Sequence, residues 1–272
     1  MDLHDILDDL VAEQAALDEV MTGLTGRQWA LPTPSPGWTV ADQIGHLTYF
    51  DGTAALAVED PDAFVDARDA LLAAAMSGDG VASDDLTLGV YRAMSAGDLL
   101  AAWRANRARL AAAAGTLADD ARVPWYGPSM SGKSFLTARL MECWAHGQDV
   151  VDAVGAARPA TDRLRHIAQL GFITRGWSYV NRGEEPPAGS VGLELIAPSG
   201  ATWTWGPDDA DDVVRGPAED FCLVVTQRRH LDDTELVCRE LGRHWLERAQ
   251  AFAGAATSGP APTSSSGHGH PA

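Results

Sequence analysis

The stretch Arg139-Leu-Met-Glu-Cys-Trp-Ala-His-Gly-Gln-Asp149 contains mostly helix-forming residues and no proline. Glu142 and His146 stand four residues apart in it, so on a helix their side chains emerge from one face, about 6 Å apart at Cβ. The same helix-forming composition without proline extends over residues 134–154, for which we predict one long helix. Two side chains able to bind a metal therefore share one face of a long helix.

A second stretch, Gly37-Trp-Thr-Val-Ala-Asp-Gln-Ile-Gly-His46, opens another helix. Thr39 precedes Asp42 by three residues, which is the pattern of an N-cap with an acidic first turn. We predict that this helix runs to about Val58 and carries His46 in its second or third turn. His46 would then face the pair on the later helix if the two helices pack together.

The first half of the chain predicts a four-helix core. Apolar residues recur near the helical period in four long segments, and two shorter helices are expected between the second and the third. The long segments are residues 2–24, 39–58, 95–117 and 134–154, and the short ones are residues 62–77 and 85–96. Metal sites in such bundles are built from inward side chains on facing helices.

The second half predicts a small α+β domain. We expect a helix over residues 161–182, a hairpin over 191–205, a strand or short helix over 221–226, and a final helix over 232–252. The whole chain is thus mainly α. Its predicted domains are a metal-binding helical bundle over 1–155, an α+β domain over 160–253, and a disordered tail over 254–272 that contains His268 and His270.

The composition restricts the partners. A formal net charge of −18 and a pI near 4.6 argue against binding to nucleic acid or to an anionic membrane surface, since both need a basic face. Three cysteines are too few for a disulfide framework and indicate reduced thiols, with Cys143 packed in the core. Neither a signal peptide nor an apolar run of about 20 residues is evident, so we expect a cytoplasmic protein. The sequence assigns no oligomeric state.

His46, Glu142 and His146 have the composition of a reactive metal site. Two imidazoles and a carboxylate occupy three positions around a divalent ion and leave the others open to water or substrate. The alternative interpretation is two structural histidines and a solvated carboxylate, and the residues alone leave both open.

Two further patterns are weaker. Residues 127–134, Gly-Pro-Ser-Met-Ser-Gly-Lys-Ser, match the phosphate-binding loop pattern, but no alternation of strands and helices surrounds them. We therefore interpret them as a surface loop before the long helix. Four arginines of the second half could hold a substrate carboxylate by bidentate pairing: Arg175, Arg182, Arg228 and Arg229.

The two helical segments and the helix order resemble the DinB/YfiT-like metal-binding bundles, and most closely the actinobacterial branch that contains mycothiol-dependent maleylpyruvate isomerase. The resemblance is good over about residues 1–155 and looser beyond. It implies a DinB-like four-helix bundle with a divalent metal on His46, Glu142 and His146, zinc first and nickel or iron as alternatives. It also implies mycothiol as cosubstrate and a supporting role for Arg228 in the C-terminal domain.

The chemistry implied is consistent with such a site. A thiol with a pKa near about 8.5 is mostly protonated at neutral pH, and a divalent cation deprotonates a thiol that coordinates it. The thiolate could add to a small electrophile, giving S-transfer or, after release, cis–trans isomerisation. Asp149 or Asp51 could orient a histidine ligand. Alternatives are a tailoring isomerase or lyase that needs no thiol, and a non-catalytic protein that binds a metal or a small molecule.

Overall fold

The computed structural model describes residues 2–76 and 83–263, and the chain forms two compact units that divide between Arg158 and Pro159. His268 and His270 lie outside the described residues. The helices of the first unit are α1 (Leu3–Thr22), α2 (Gly26–Trp29), α3 (Val40–Glu59), α4 (Pro61–Met76), α5 (Ser83–Arg92), α6 (Ala96–Ala114) and α7 (Gly132–Val154).

Four of these helices form a bundle, as the sequence predicted. Helix α1 packs on α7 and α6, and α3 packs on α6 and α7, with α4 and α5 against the outside of α3. Apolar side chains from all four long helices fill the core, among them Leu17, Ile44, Trp103 and Val150. The predicted Thr39 cap is present, because its side chain accepts a hydrogen bond from the backbone of Asp42. Helix propensity and the apolar period therefore agree with the tertiary structure here.

Helices α3 and α6 approach each other closely at Gly52. A Cβ atom there would lie 2.6 Å from Nδ2 of Asn106, too close for any other residue without a shift of that side chain. Asn106 donates a hydrogen bond to the carbonyl of Thr48 at 2.9 Å, which joins the two helices. The contact fixes α3 in the bundle.

Residues 127–134 do not form a phosphate-binding loop. They follow β1 (Arg122–Val123), contain β2 (Met130–Ser131) and run into the first turn of α7. The two strands pair antiparallel. A phosphate-binding loop requires a buried parallel strand before the helix. The structure therefore agrees with a surface loop, in which Ser131 caps α7 through the backbone of Ser134.

The second unit combines helices with a three-stranded sheet. Its elements are α8 (Leu164–Ile173), α9 (Arg175–Val180), β3 (Val191–Ile196), β4 (Thr202–Trp205), β5 (Asp212–Pro217), α10 (Ala218–Val225) and α11 (Glu240–Leu246). The strand order is β4-β3-β5, with β4 antiparallel and β5 parallel to β3. The predicted hairpin is confirmed, and the apolar run at 221–226 belongs to a helix. The fold class, a helical bundle followed by a small α+β unit, is confirmed.

The single helix predicted over residues 161–182 is wrong, because two helices meet at Thr174. The Thr174 hydroxyl donates to the carbonyls of Leu170 and Gly171, at 2.8 and 3.1 Å. Such side-chain bonds compete with the regular backbone ladder. Helix α8 ends at Ile173, and α9 begins at Arg175.

The helix predicted over residues 232–252 is also wrong in extent. Val237 is extended and exchanges two backbone hydrogen bonds with Arg215, so it adds to the edge of β5. The Asp212 carboxylate then accepts from the backbones of Arg239 and Gly242, at 3.0 and 2.8 Å, where α11 begins. A carboxylate distant in sequence thus determines where this helix starts.

Two other expectations concern the chain ends and membranes. Residues 254–263 contain no named helix or strand, but Thr257 is hydrogen-bonded to Gln227; the disorder predicted for 254–272 stays a prediction, and residues 264–272 are outside the described part. None of the helices in the described ranges combines the length and the apolar character that a membrane crossing requires.

Asp51 lies in the bundle core, 2% exposed. Its Oδ2 accepts hydrogen bonds from Gln14 at 3.0 Å and from Trp103 at 3.1 Å, and its Oδ1 is 3.8 Å from Nε of Arg139. Burial raises the pKa of Asp51 to about 6, although the charge of Arg139 acts to lower it. The protonated form therefore persists to higher pH in the folded protein than in the unfolded chain.

This shift predicts a pH-dependent stability. Because the folded pKa lies above the unfolded one, the stabilising contribution of Asp51 is complete below about pH 3.8 and is lost as the pH rises through 6. Relative to Asp51→Asn, which does not titrate, the wild-type unfolding free energy should fall by about 2–3 kcal/mol between pH 4 and pH 7. Urea unfolding of both proteins at several pH values tests this, and a constant difference would contradict it.

Candidate metal site

Helices α3 and α7 bring together the three predicted ligands. Both imidazoles present Nε2 to one oxygen of the carboxylate: Oε2 of Glu142 is 3.3 Å from Nε2 of His46 and 3.1 Å from Nε2 of His146. The three ligand atoms all lie within 4.8 Å of one another. The side chains of His46, Glu142 and His146 are 18%, 23% and 12% exposed, so the cluster is partly open to solvent.

The geometry fits a divalent ion. A tetrahedral zinc site with arms of about 2.0–2.2 Å separates its ligand atoms by roughly 3.4 Å. The observed distances from Oε2 of Glu142 to the two Nε2 atoms, 3.1 and 3.3 Å, are close to this ligand–ligand distance. Two imidazole nitrogens and a carboxylate oxygen also suit zinc, nickel and iron rather than calcium or magnesium. The cluster can thus hold an ion with little movement of its side chains.

The protonation states also suit a metal. Burial and the neighbouring His146 lower the pKa of His46 to about 4, so its imidazole is neutral at neutral pH. Burial acts to raise the pKa of Glu142, but hydrogen bonds with His146 and His46 hold it well below its usual value. Ligands must be neutral imidazole and ionised carboxylate to bind a cation. Glu142 is therefore ionised and His46 is uncharged before an ion binds.

Gln43 orients one of the ligands. Its Oε1 lies 2.6 Å from Nδ1 of His146, while its Nε2 donates to Oγ1 of Thr33 at 2.9 Å. Thr33 uses its own hydroxyl proton in a bond of 3.0 Å to the carbonyl of Trp38, so it must accept from Gln43. Nδ1 of His146 therefore carries a proton, and Nε2 is the nitrogen that would bind a metal.

Sequence reasoning missed Gln43. The sequence suggests Asp51 or Asp149 for the orienting role. Asp51 accepts hydrogen bonds from Gln14 and Trp103. Asp149 accepts one from Ser35 at 3.0 Å. The available signal was the position of Gln43, three residues before His46 and so on the same side of α3. An amide there can bond across to α7, but only the structure shows that it does.

Aromatic rings surround the two imidazoles. Trp38 stacks on His146 with a centroid distance of 5.9 Å, and Phe50 lies 4.5 Å from His46. Trp125 and Tyr126, which follow β1, pack on Phe50 at 6.3 and 5.5 Å. Apolar walls lower the local dielectric and strengthen interactions of charges inside the site.

Arg228 and Cys143 complete the predicted residues. Arg228 follows α10 in the second unit, directly after Gln227, which has a positive φ of 60°. Its Nη1 donates to the carbonyl of Thr226 at 2.6 Å. Cys143 is buried on α7, where burial raises the pKa of its thiol well above the usual value. A packed, protonated thiol is what the sequence predicted for it.

The role of Gln43 is testable. Gln43→Leu removes the acceptor that fixes the His146 tautomer, so we expect zinc affinity to fall by about 10–100-fold while the helical content persists. Competition with a chromogenic zinc chelator measures the affinity. Gln148→Leu is the control, because Gln148 bonds to Asp152 instead. Equal affinities of wild type and Gln43→Leu would exclude the orienting role.

Comparisons with known proteins agree with this architecture. The sequence pattern described as the mycothiol maleylpyruvate isomerase N-terminal domain matches residues 10–151. Two uncharacterized proteins of Mycobacterium tuberculosis, from strains CDC 1551 / Oshkosh and ATCC 25618 / H37Rv, are each 47% identical over 247 residues, which cover 90% of this chain and 94% of the relative.

Solved structures share the fold. The crystal structure of the mycothiol-dependent maleylpyruvate isomerase matches with a TM-score of 0.57, and that of a histidine-to-alanine mutant matches with 0.56. Both are 17% identical, and the match covers 87% of this chain and 93% of the other. The match to the family pattern over residues 10–151 and the identity to its relatives show that the chain belongs to the mycothiol maleylpyruvate isomerase N-terminal domain family.

Proposed function

We propose that the protein is a divalent-metal-dependent enzyme that uses a low-molecular-weight thiol, mycothiol or a similar one, for S-transfer to, or cis–trans isomerisation of, a small anionic electrophile in the cytoplasm. The observation that carries the proposal is the convergence of Nε2 of His46, Nε2 of His146 and Oε2 of Glu142 at a partly open site. Family membership supports the choice of a thiol. Zinc is the first candidate ion, with nickel and iron as alternatives.

The partial exposure of the cluster supports catalysis over a structural role. Structural zinc sites are closed by four protein ligands, whereas catalytic ones keep a position for water or substrate. Among the described residues, the groups of His, Cys, Asp and Glu that could hold a metal comprise these three side chains alone. Three ligands leave a coordination position for a molecule from solution.

The residues of the chain prepare the site for this chemistry. A bound divalent cation would lower the pKa of a coordinating thiol or polarise a substrate carbonyl. His46 is neutral and Glu142 is ionised, so neither residue brings a positive charge that would repel the ion. Gln43 accepts a hydrogen bond from Nδ1 of His146, so Nε2 is the nitrogen that would face a metal. Trp38 and Phe50 cover the imidazoles and limit the access of water.

The metal ligands are the first test. All proteins carry His268→Ala and His270→Ala, which remove two other side chains able to bind metal. The protein with His46, Glu142 and His146 intact should retain about one zinc per chain. His46→Ala or His146→Ala should lose both the metal and any thiol-dependent turnover while circular dichroism shows an intact helical fold. Mass spectrometry of the purified proteins measures the metal.

The exposed His4→Ala is the matched control and should keep the metal. Equal zinc in wild type and both ligand variants would refute the site. Full metal occupancy with turnover that does not need a thiol would favour a tailoring isomerase or lyase, and metal without an exchangeable position would favour a non-catalytic binding protein.

Arg228 is proposed to support thiol use. Replacing Arg228 with Ala removes a charged hydrogen-bond donor, so we expect KM for mycothiol to rise by about 10–100-fold with unchanged zinc content. Steady-state kinetics with varied thiol measure this. Arg215→Ala, at an exposed position on β5 paired with Glu194, is the control. An unchanged KM for the thiol would refute a role of Arg228 in thiol use.

A further inference from the structure

Arg139 is a buried cation on α7 whose hydrogen bonds are incomplete. Its side chain is 3% exposed. Within residues 2–76 and 83–263, the buried Nε and Nη2 atoms of Arg139 have no hydrogen-bond partner. The nearby acid is Asp51, whose Oδ1 is 3.8 Å from Nε, beyond hydrogen-bond distance. The guanidinium therefore has charge compensation nearby and donors left over.

The guanidinium lies beside the metal cluster. Arg139, Glu142 and His146 are spaced i, i+3 and i+7 and so share one face of α7. The carbon Cζ of Arg139 is 5.7 Å from the ring centres of both Phe50 and Trp125. Phe50 is itself the ring that contacts His46. In agreement with this placement, the charge of Arg139 contributes to the lowered pKa values of His46 and Glu142.

Arg158 shows how the same bundle satisfies a buried arginine. Its side chain is 6% exposed and its Cζ lies 5.7 Å from the ring of Trp144, so its burial and aromatic contact resemble those of Arg139. It donates to Oε1 of Glu13 at 3.1 Å and to the carbonyl of Trp144 at 2.8 Å. Leaving a buried donor unpaired costs about 1–3 kcal/mol, and more for a charged group. The unfilled donors of Arg139 are thus costly to the fold.

We propose that Arg139 binds a carboxylate of the ligand, as a specificity-determining residue beside the His46, Glu142 and His146 cluster. The planar fork of an arginine presents parallel N–H donors that match the two oxygens of a carboxylate. Phe50 and Trp125 flank the guanidinium and exclude water from it, which strengthens such a pair. This proposal rests on the proposed function, because the metal of that function would hold the other end of the same ligand.

The spacing on α7 defines what the ligand must look like. Arg139 and Glu142 lie three residues apart on one face of the helix, so the carboxylate at Arg139 and the group that faces Glu142 are different parts of one small molecule. The aromatic surroundings favour a planar or apolar part between the two. A small unsaturated or aromatic acid meets these requirements, and its amide lacks the charge that Arg139 would bind.

Benzoate and benzamide are matched probes for this site. Calorimetry on the full-length protein with EDTA present removes direct binding of the probe to a metal. We expect benzoate to bind the wild type at least about tenfold more tightly than benzamide, since a charged hydrogen bond is worth about 1.5–3 kcal/mol. In Arg139→Lys, which keeps the charge but loses the fork, this preference should fall by about tenfold. Arg158→Lys should retain it.

The Asp51→Asn variant distinguishes ligand binding by Arg139 from a purely structural role of that residue. Because Asp51 is the acid beside the guanidinium, its replacement should strengthen benzoate binding several-fold. Equal affinity of the wild type for benzoate and benzamide would overturn the proposal, even if Arg139→Lys does not fold. So would an unchanged preference in Arg139→Lys.

The zinc content of each protein separates this proposal from the previous one. If zinc does not bind while the benzoate preference is present and depends on Arg139, the carboxylate site stands and the metal site fails. If zinc binds fully while benzoate and benzamide bind equally, the metal site stands and the carboxylate site fails.

Discussion

The packing of α3 against α7 is the constraint on which the site depends. Each helix alone carries incomplete chemistry, a single imidazole on α3 and an imidazole with a carboxylate on α7. Their approach places Nε2 of both histidines within 3.3 Å of the same Glu142 oxygen. Because α6 holds α3 through the close contact at Gly52, the position of His46 is set by packing on a helix that contributes no ligand.

Buried polar groups lie around the candidate metal site. Gln43 and Asp51 on α3 and Arg139 on α7 are nearly inaccessible to solvent, at positions that apolar residues could fill. Replacing such groups by well-packed apolar residues often stabilises a protein. Here Gln43 determines the state of a ligand, and Asp51 and Arg139 place opposite charges next to the aromatic wall formed by Phe50 and Trp125.

The sequence predicted what local periodicity controls. The four long helices follow from the apolar pattern and the Thr39 cap, and the convergence of the three candidate ligands follows from their positions on two of these helices. It could not predict features created by partners distant in the chain. The start of α11 depends on the carboxylate of Asp212, and the extended state of Val237 depends on Arg215. Gln43 and Arg139 were missed for the same reason, because their significance lies in what they do or do not contact across the bundle.

The hydrogen-bond chain from Trp38 through Thr33 and Gln43 to His146 has a consequence for the interpretation of related sequences. A search that requires only the three ligands would accept chains in which the loop before α3 has diverged. In such chains the His146 ring would lose the partner that fixes its tautomer, and metal affinity would decline without any change in a ligand. The loop before α3 and the amide of Gln43 therefore belong with the three candidate ligands when related sequences are compared.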